Sequence, residues 1–111
     1  MLDQIKKFCD AVVANYSESV DAIYLYGSYA RGDNHNESDI DIMVLVDANT
    51  VVIQKGISDL ASDACLFSGH FFSPVITDKD VFAKWVPYLP FYSNVLKEGK
   101  LLYKRGEKGE S

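Results

Sequence analysis

The chain has 111 residues, of which 48% are hydrophobic and 24% charged, and its formal net charge is −5. That length holds one domain with its own core and little else, and the composition is that of an ordinary globular protein. The acidity counts against a free-standing DNA or RNA binder, whose affinity comes largely from cationic contacts to phosphates, but not against a mononucleotide carried with its metal. No apolar run reaches membrane-span length and the N-terminus does not read as a signal peptide, so a cytoplasmic location is expected.

Leu2, Ile5, Phe8, Cys9, Val12, Val13 and Tyr16 recur at helical spacing, which predicts an amphipathic helix over 2–16. The β-prone run Ala22-Ile23-Tyr24-Leu25-Tyr26 predicts a strand ending at Gly27, and Tyr29 to Arg31 the first turn of a short helix. Polar residues 33–38 read as a turn. Asp39 to Val46 is a second strand, and its end, Met43-Val44-Leu45-Val46, is apolar on both faces as in a central, doubly covered strand. Residues 50–62 are expected to be a helix capped by Thr50 or Asn49.

His70 to Ile76 predicts a third strand, where Pro74 points to an edge or a bulge. A helix is expected from Asp78 to Trp85, and a second helical piece over 91–97 follows the break at Pro87 and Pro90. Gly99 ends it, and Leu101-Leu102-Tyr103 can add a final edge strand. Strands alternating with helices give an α/β fold, a small mixed sheet with helices packed against it. The domain is expected to span 1–104, with 105–111 as a polar, frayed tail. Cys9 and Cys65 sit among apolar residues without metal-ligand spacing and are expected to be free, buried thiols.

The chemistry concentrates in Gly27-Ser28-Tyr29-Ala30-Arg31-Gly32 and Ser38-Asp39-Ile40-Asp41. Glycine after a strand lets the backbone turn sharply and approach a ligand closely. Ser28 can cap the following helix or face a phosphate, a helix N-terminus favours anions, and Arg31 adds a cation near the phosphates or the acidic strand. Side chains two apart on a strand share a face, so Asp39 and Asp41 point the same way. Two close carboxylates repel each other, and a divalent cation relieves the repulsion. Magnesium suits the pair because it takes one or two carboxylates plus phosphate oxygens. Alone, each motif is equally a capped turn or a solvated strand end; the functional reading comes from their succession.

At these residues the chain resembles the minimal nucleotidyltransferases (MNT) of the polymerase-β-like superfamily, whose signature is Gly-Ser-x-Ala-Arg-Gly, a short spacer and Ser-Asp-x-Asp. Here it reads GSYARG, DNHNE, SDID without gap or substitution, and the late segment PFYSNVLKEGKLLY is like the family's ending. The resemblance implies a polymerase-β-like nucleotidyltransferase fold. It also implies ATP held at Gly27, Ser28 and Arg31, and two Mg²⁺ ions on Asp39 and Asp41. AMP would pass to a hydroxyl with release of pyrophosphate. A small helical HEPN-type partner is implied as well, often a toxin that the nucleotidyltransferase neutralises as antitoxin.

Active members often add a third carboxylate on a later strand. The matching position here is Ser73, with Asp63 and Asp78 flanking the strand. Two further readings therefore stay open: a nucleotide- and partner-binding module without turnover, and a small-molecule nucleotidyltransferase. His35 reads as a loop residue or a substrate contact, and His70 as structural. Trp85, Tyr88, Phe91 and Tyr92 read as local packing or as a patch for a partner. Lys97, Lys100, Lys104, Arg105 and Lys108 make a basic C-terminal surface.

Overall fold

Six of the seven residues of Ile40–Val46 are buried, and this strand, β2, divides the interior in two. The structure is a computed structural model that describes residues 3–35 and 37–106. In chain order it comprises α1 (Asp3–Tyr16), β1 (Val20–Tyr26), α2 (Ser28–Arg31), β2, α3 (Val51–Ser68), β3 (Phe72–Asp78), α4 (Lys79–Trp85), α5 (Pro90–Glu98) and β4 (Lys100–Lys104). The sheet runs β3-β2-β1-β4. β1 is antiparallel to β2 and β4, whereas β2 and β3 are parallel, with α3 as their crossover.

Alternation along β2 sorts its side chains. Ile40, Ile42, Val44 and Val46 enter the larger core beneath α1 and α3, with Ile5, Phe8, Val12, Ile57 and Ala61. Phe8 of α1 meets Phe72 of β3 with ring centroids 5.2 Å apart. Met43 and Leu45 enter a smaller core with Ala22, capped by Phe82 of α4 and Val95 of α5. The α/β architecture with a small mixed sheet is therefore as expected.

Several boundaries differ from the sequence expectation. α3 continues to Ser68, six residues past 62, because Ala61, Ala64 and Cys65 extend its apolar stripe onto the core. It stops at Gly69, whose φ of 78° is left-handed and whose N–H donates to the Cys65 carbonyl. Thr50 rather than Asn49 caps α3, accepting from the Ile53 N–H at 3.2 Å, while Asn49 Nδ2 donates to the Ile76 carbonyl at 3.0 Å. Asp78 ends β3 and caps α4 through the Asp80 and Val81 N–H groups.

Arg105, placed by its polarity at the start of the tail, is instead anchored. Its N–H donates to the Asp21 carbonyl, and its guanidinium grips Asp47 at 3.0 and 2.7 Å. Beside it, Lys104 pairs with Asp21 at 2.9 Å. The remainder of the expected tail, 107–111, lies outside the described residues.

Pro74 lies on an edge strand, as its missing N–H requires. The outward-facing backbone of that edge is occupied by other means as well. The Phe72 N–H donates to Cys65 Sγ at 3.2 Å, and the Ile76 carbonyl accepts from Asn49. Both thiols are free; Cys9 is buried, and burial pushes its pKa up to about 12, whereas Cys65, expected to be buried as well, is half-buried. No described helix is long and apolar enough to cross a membrane.

Ile57 is fully buried where α3 meets the larger core. Ile57→Ala is expected to cost about 2–5 kcal/mol through lost burial and an incompletely filled cavity, read as a lowered urea midpoint at unchanged slope.

Candidate active site

The antiparallel register pairs Tyr26 with Asp41, so the chain leaving β1 passes directly beside the Asp41 side chain. Gly27 makes that turn with φ 77° and ψ −155°. A Cβ there would overlap Asp41 Oδ2, and the positive φ would strain any other residue. The glycine is thus required twice, by the turn and by the carboxylate packed against it.

Gly27 is also the N-cap of α2. Its carbonyl accepts from the Ala30 and Arg31 N–H groups, both at 3.1 Å, and no side chain caps the helix. The expectation that Ser28 caps α2 is corrected accordingly: Ser28 is the first helical residue, one position too late for its hydroxyl to reach back to the free N–H groups. Ser28 is half-buried, and neither its hydroxyl nor the Ser28 and Tyr29 N–H groups have a hydrogen-bond partner among the described residues. Gly32 closes α2 in a left-handed turn, its N–H on the Ser28 carbonyl at 2.9 Å.

Asp39 immediately precedes β2 and is exposed; Asp41 is half-buried on the face that further along buries Met43 and Leu45. Among the described residues neither carboxylate takes part in a side-chain hydrogen bond or ion pair. Burial, and then repulsion from Asp39, holds the Asp41 carboxyl above its usual pKa, against an opposing pull from Arg31. The neighbouring Tyr26 phenol is pushed up to about 12, first by burial and then by the Asp41 charge. An acidic pair left unneutralised by the protein, one member of it wedged against a glycine turn, fits a divalent cation that also bonds phosphate oxygens.

Arg31 is exposed and engaged by acids: its Nε lies 3.2 Å from Asp33 and its Nη1 3.5 Å from Glu98. It reaches the pair only through its field. Glu98 and Phe91 were not singled out for this site by sequence reasoning, because both come from α5. Phe91 packs edge-on against Tyr26 at 5.4 Å, so α5 borders the site at one end through Phe91 and at the other through Glu98. The remaining aromatic residues divide: Tyr92 packs on Phe82 at 4.9 Å, and Trp85 and Tyr88 stay largely on the surface.

Ser73 pairs with Asp41 across the parallel register, exposed and on the same face. Of the flanking acids, Asp63 lines a groove beneath the opposite sheet face and Asp78 is committed to its cap. Among the described residues no group of three His, Cys, Asp or Glu side chains converges on a common point. His35 ties its own turn together, its Nδ1 accepting from the Glu37 N–H at 3.2 Å, and His70 lies just before β3.

A four-stranded mixed sheet whose Gly-Ser turn abuts an Asp-x-Asp strand defines a nucleotidyltransferase core. The chain belongs to the family described as Polymerase beta, Nucleotidyltransferase, whose profile matches residues 4–108. A Methanocaldococcus jannaschii protein assigned provisionally as a protein adenylyltransferase is 37% identical over 101 residues, covering 89% of this chain and 94% of that protein. Solved structures share the fold. A chain of a toxin–antitoxin crystal structure with AMP-PNP superposes with a TM-score of 0.63 at 22% identity, over 98% of this chain and 79% of that one. A chain from the complex of a tri-AMPylated Shewanella oneidensis HEPN toxin with its MNT antitoxin gives 0.53 at 20% identity, over 96% and 77%.

An acid held above its usual pKa in the fold is destabilising once ionised; the penalty is complete above the raised value and vanishes below the unfolded one. Asp41→Asn is therefore expected to raise the Tm of the metal-free protein at neutral pH, with the gain shrinking toward pH ~4. A gain of constant size across that range would assign the effect to packing rather than charge.

Proposed function

We propose that the chain is a magnesium-dependent nucleotidyltransferase that moves AMP from ATP to a hydroxyl on a small helical HEPN-type partner. The observation that carries this reading is the Asp41 carboxylate, unpaired, repelled by Asp39 and packed against Gly27. Asp39 and Asp41 hold one or two Mg²⁺ ions, which when bound neutralise phosphate charge. The free N–H groups at the start of α2 and the Ser28 hydroxyl take the triphosphate, and Arg31 adds positive potential at the rim. The acceptor hydroxyl oxygen forms its bond to the α-phosphorus and gives its proton to solvent as the bond from that phosphorus to the bridging oxygen breaks, and pyrophosphate leaves.

The Methanocaldococcus jannaschii relative supports a protein acceptor over a small molecule, and the Shewanella oneidensis complex supports a HEPN partner. The test is transfer from α-phosphate-labelled ATP to the partner. Wild type is expected to label it, and Asp39→Asn with Asp41→Asn to abolish labelling while leaving the fold intact. Labelling that survives the double substitution rejects the assignment.

A second reading is favoured by Ser73, which stands where a carboxylate would take the hydroxyl proton: a module that binds nucleotide and partner without turnover. Ser73→Asp separates the two. It is expected to tighten Mn²⁺ binding by adding a third carboxylate across from Asp41, read by electron paramagnetic resonance. If wild type transfers nothing and Ser73→Asp does, the module reading holds for the native chain.

A further inference from the structure

The sheet face opposite the acidic pair carries a surface that the transferase reading does not use. α1 and α3 lie side by side there, and a groove of about 490 Å³ between them is lined by Phe8, Ala11, Leu60 and Ala64, with Lys7, Asp63 and Phe67 also at its walls. Phe67 is 91% exposed, and Leu66 and Phe71 are 82% and 72% exposed. Isolated exposed apolar residues are ordinary, but Leu66 and Phe67 are consecutive at the C-terminal end of α3, and Phe67 stands at the rim of an apolar groove; Phe71, which alternates with the core residue Phe72, belongs to the other side of the sheet.

We propose that this face is a two-fold interface between two copies of the chain, each placing its Phe67 in the groove of the other. A two-fold contact uses the same patch on both partners, so the patch must complement itself. This one carries both the projecting aromatic ring and the apolar groove that would receive one. Its charges complement themselves too. Lys7 projects from α1 and Asp63 from α3, on opposite walls of the groove. The ion pairs that these helices make run along each helix, Lys6 to Asp10 and Lys55 to Asp59, and leave Lys7 and Asp63 unengaged among the described residues. With α3 set antiparallel to its copy, Lys7 of each chain meets Asp63 of the other.

At roughly 150–200 Å² for each large side chain, Leu66 and Phe67 offer about 350 Å². The groove walls extend this toward the ~800 Å² per partner of a standard interface. Asp41 lies on the other face of the sheet, so the pairing leaves the acidic site open.

Sedimentation equilibrium of the full chain at tens of micromolar, within the affinity range open to an interface of this size, tests the proposal. Wild type is expected at twice the 12.4 kDa chain mass and Phe67→Asp at the chain mass. Both should show the same circular dichroism, since the substituted side chain is exposed. Lys7→Asp and Asp63→Lys are each expected to weaken the dimer, and together to restore it. A monomeric wild type, a dimer indifferent to Phe67→Asp, or charge reversals that fail to rescue one another would each overturn the proposal. None of these readouts involves nucleotide transfer, so their failure would leave the transferase reading untouched.

Discussion

The contact between Gly27 and the Asp41 carboxylate is the constraint on which the rest of the site depends. It exists because β1 and β2 pair with Tyr26 opposite Asp41, which forces the turn out of β1 past that side chain. A side chain at 27 would push the carboxylate away, and a different register would separate the Gly27 turn from the acidic pair. The register itself is held from below, where Ile23 and Leu25 of β1 and Ile42 and Val44 of β2 are buried in the larger core. The apolar interior, which Ala30 and Ile40 of the two motifs enter, thus fixes the separation between their polar residues.

The two cores have different tasks. The larger one, under α1 and α3, contains most of the fully buried side chains and holds the sheet. The smaller one, under α4 and α5, leaves Asp41 and Ser73 open at the end of its face. α5 joins that core through Val95 and meets the site through Phe91 and Glu98, so one short helix is both packing element and site wall. The β3 side of the site is correspondingly bare. Exposed Ser73 is a neighbour of Asp41 that contributes neither charge nor bulk.

Much of this was legible in the sequence because the signals were local. A period of two places Asp39 and Asp41 on one face whatever surrounds them, and a glycine closing a β-prone run marks a turn. Ser73 could be set against the acidic pair only through the family resemblance, which expects a third carboxylate on a later strand; Pro74 indicated an edge or a bulge and no register. The last third of α3 was missed because Cys65, Leu66 and Phe67 form a short apolar run without evident helical period; only Cys65 of the three meets the core. The roles of Tyr26, Phe91 and Glu98 were illegible for a different reason. Each depends on a partner brought from far along the chain, and no spacing rule connects Arg31 to Glu98 or Tyr26 to Phe91. Arg105 looked like tail because its anchors, Asp21 and Asp47, lie at the far ends of other strands.

The edge of β3 has a wider meaning. A thiol accepts one of its outward N–H groups, a proline removes the next, and an asparagine amide occupies the carbonyl beyond. Strand addition, the form of recognition least sensitive to sequence, is therefore closed on the side of the sheet nearest the acidic pair. A protein approaching from that side must be recognised by its side chains. Recognition of that kind is sensitive to single residues: a substitution on one surface has to be answered on the other.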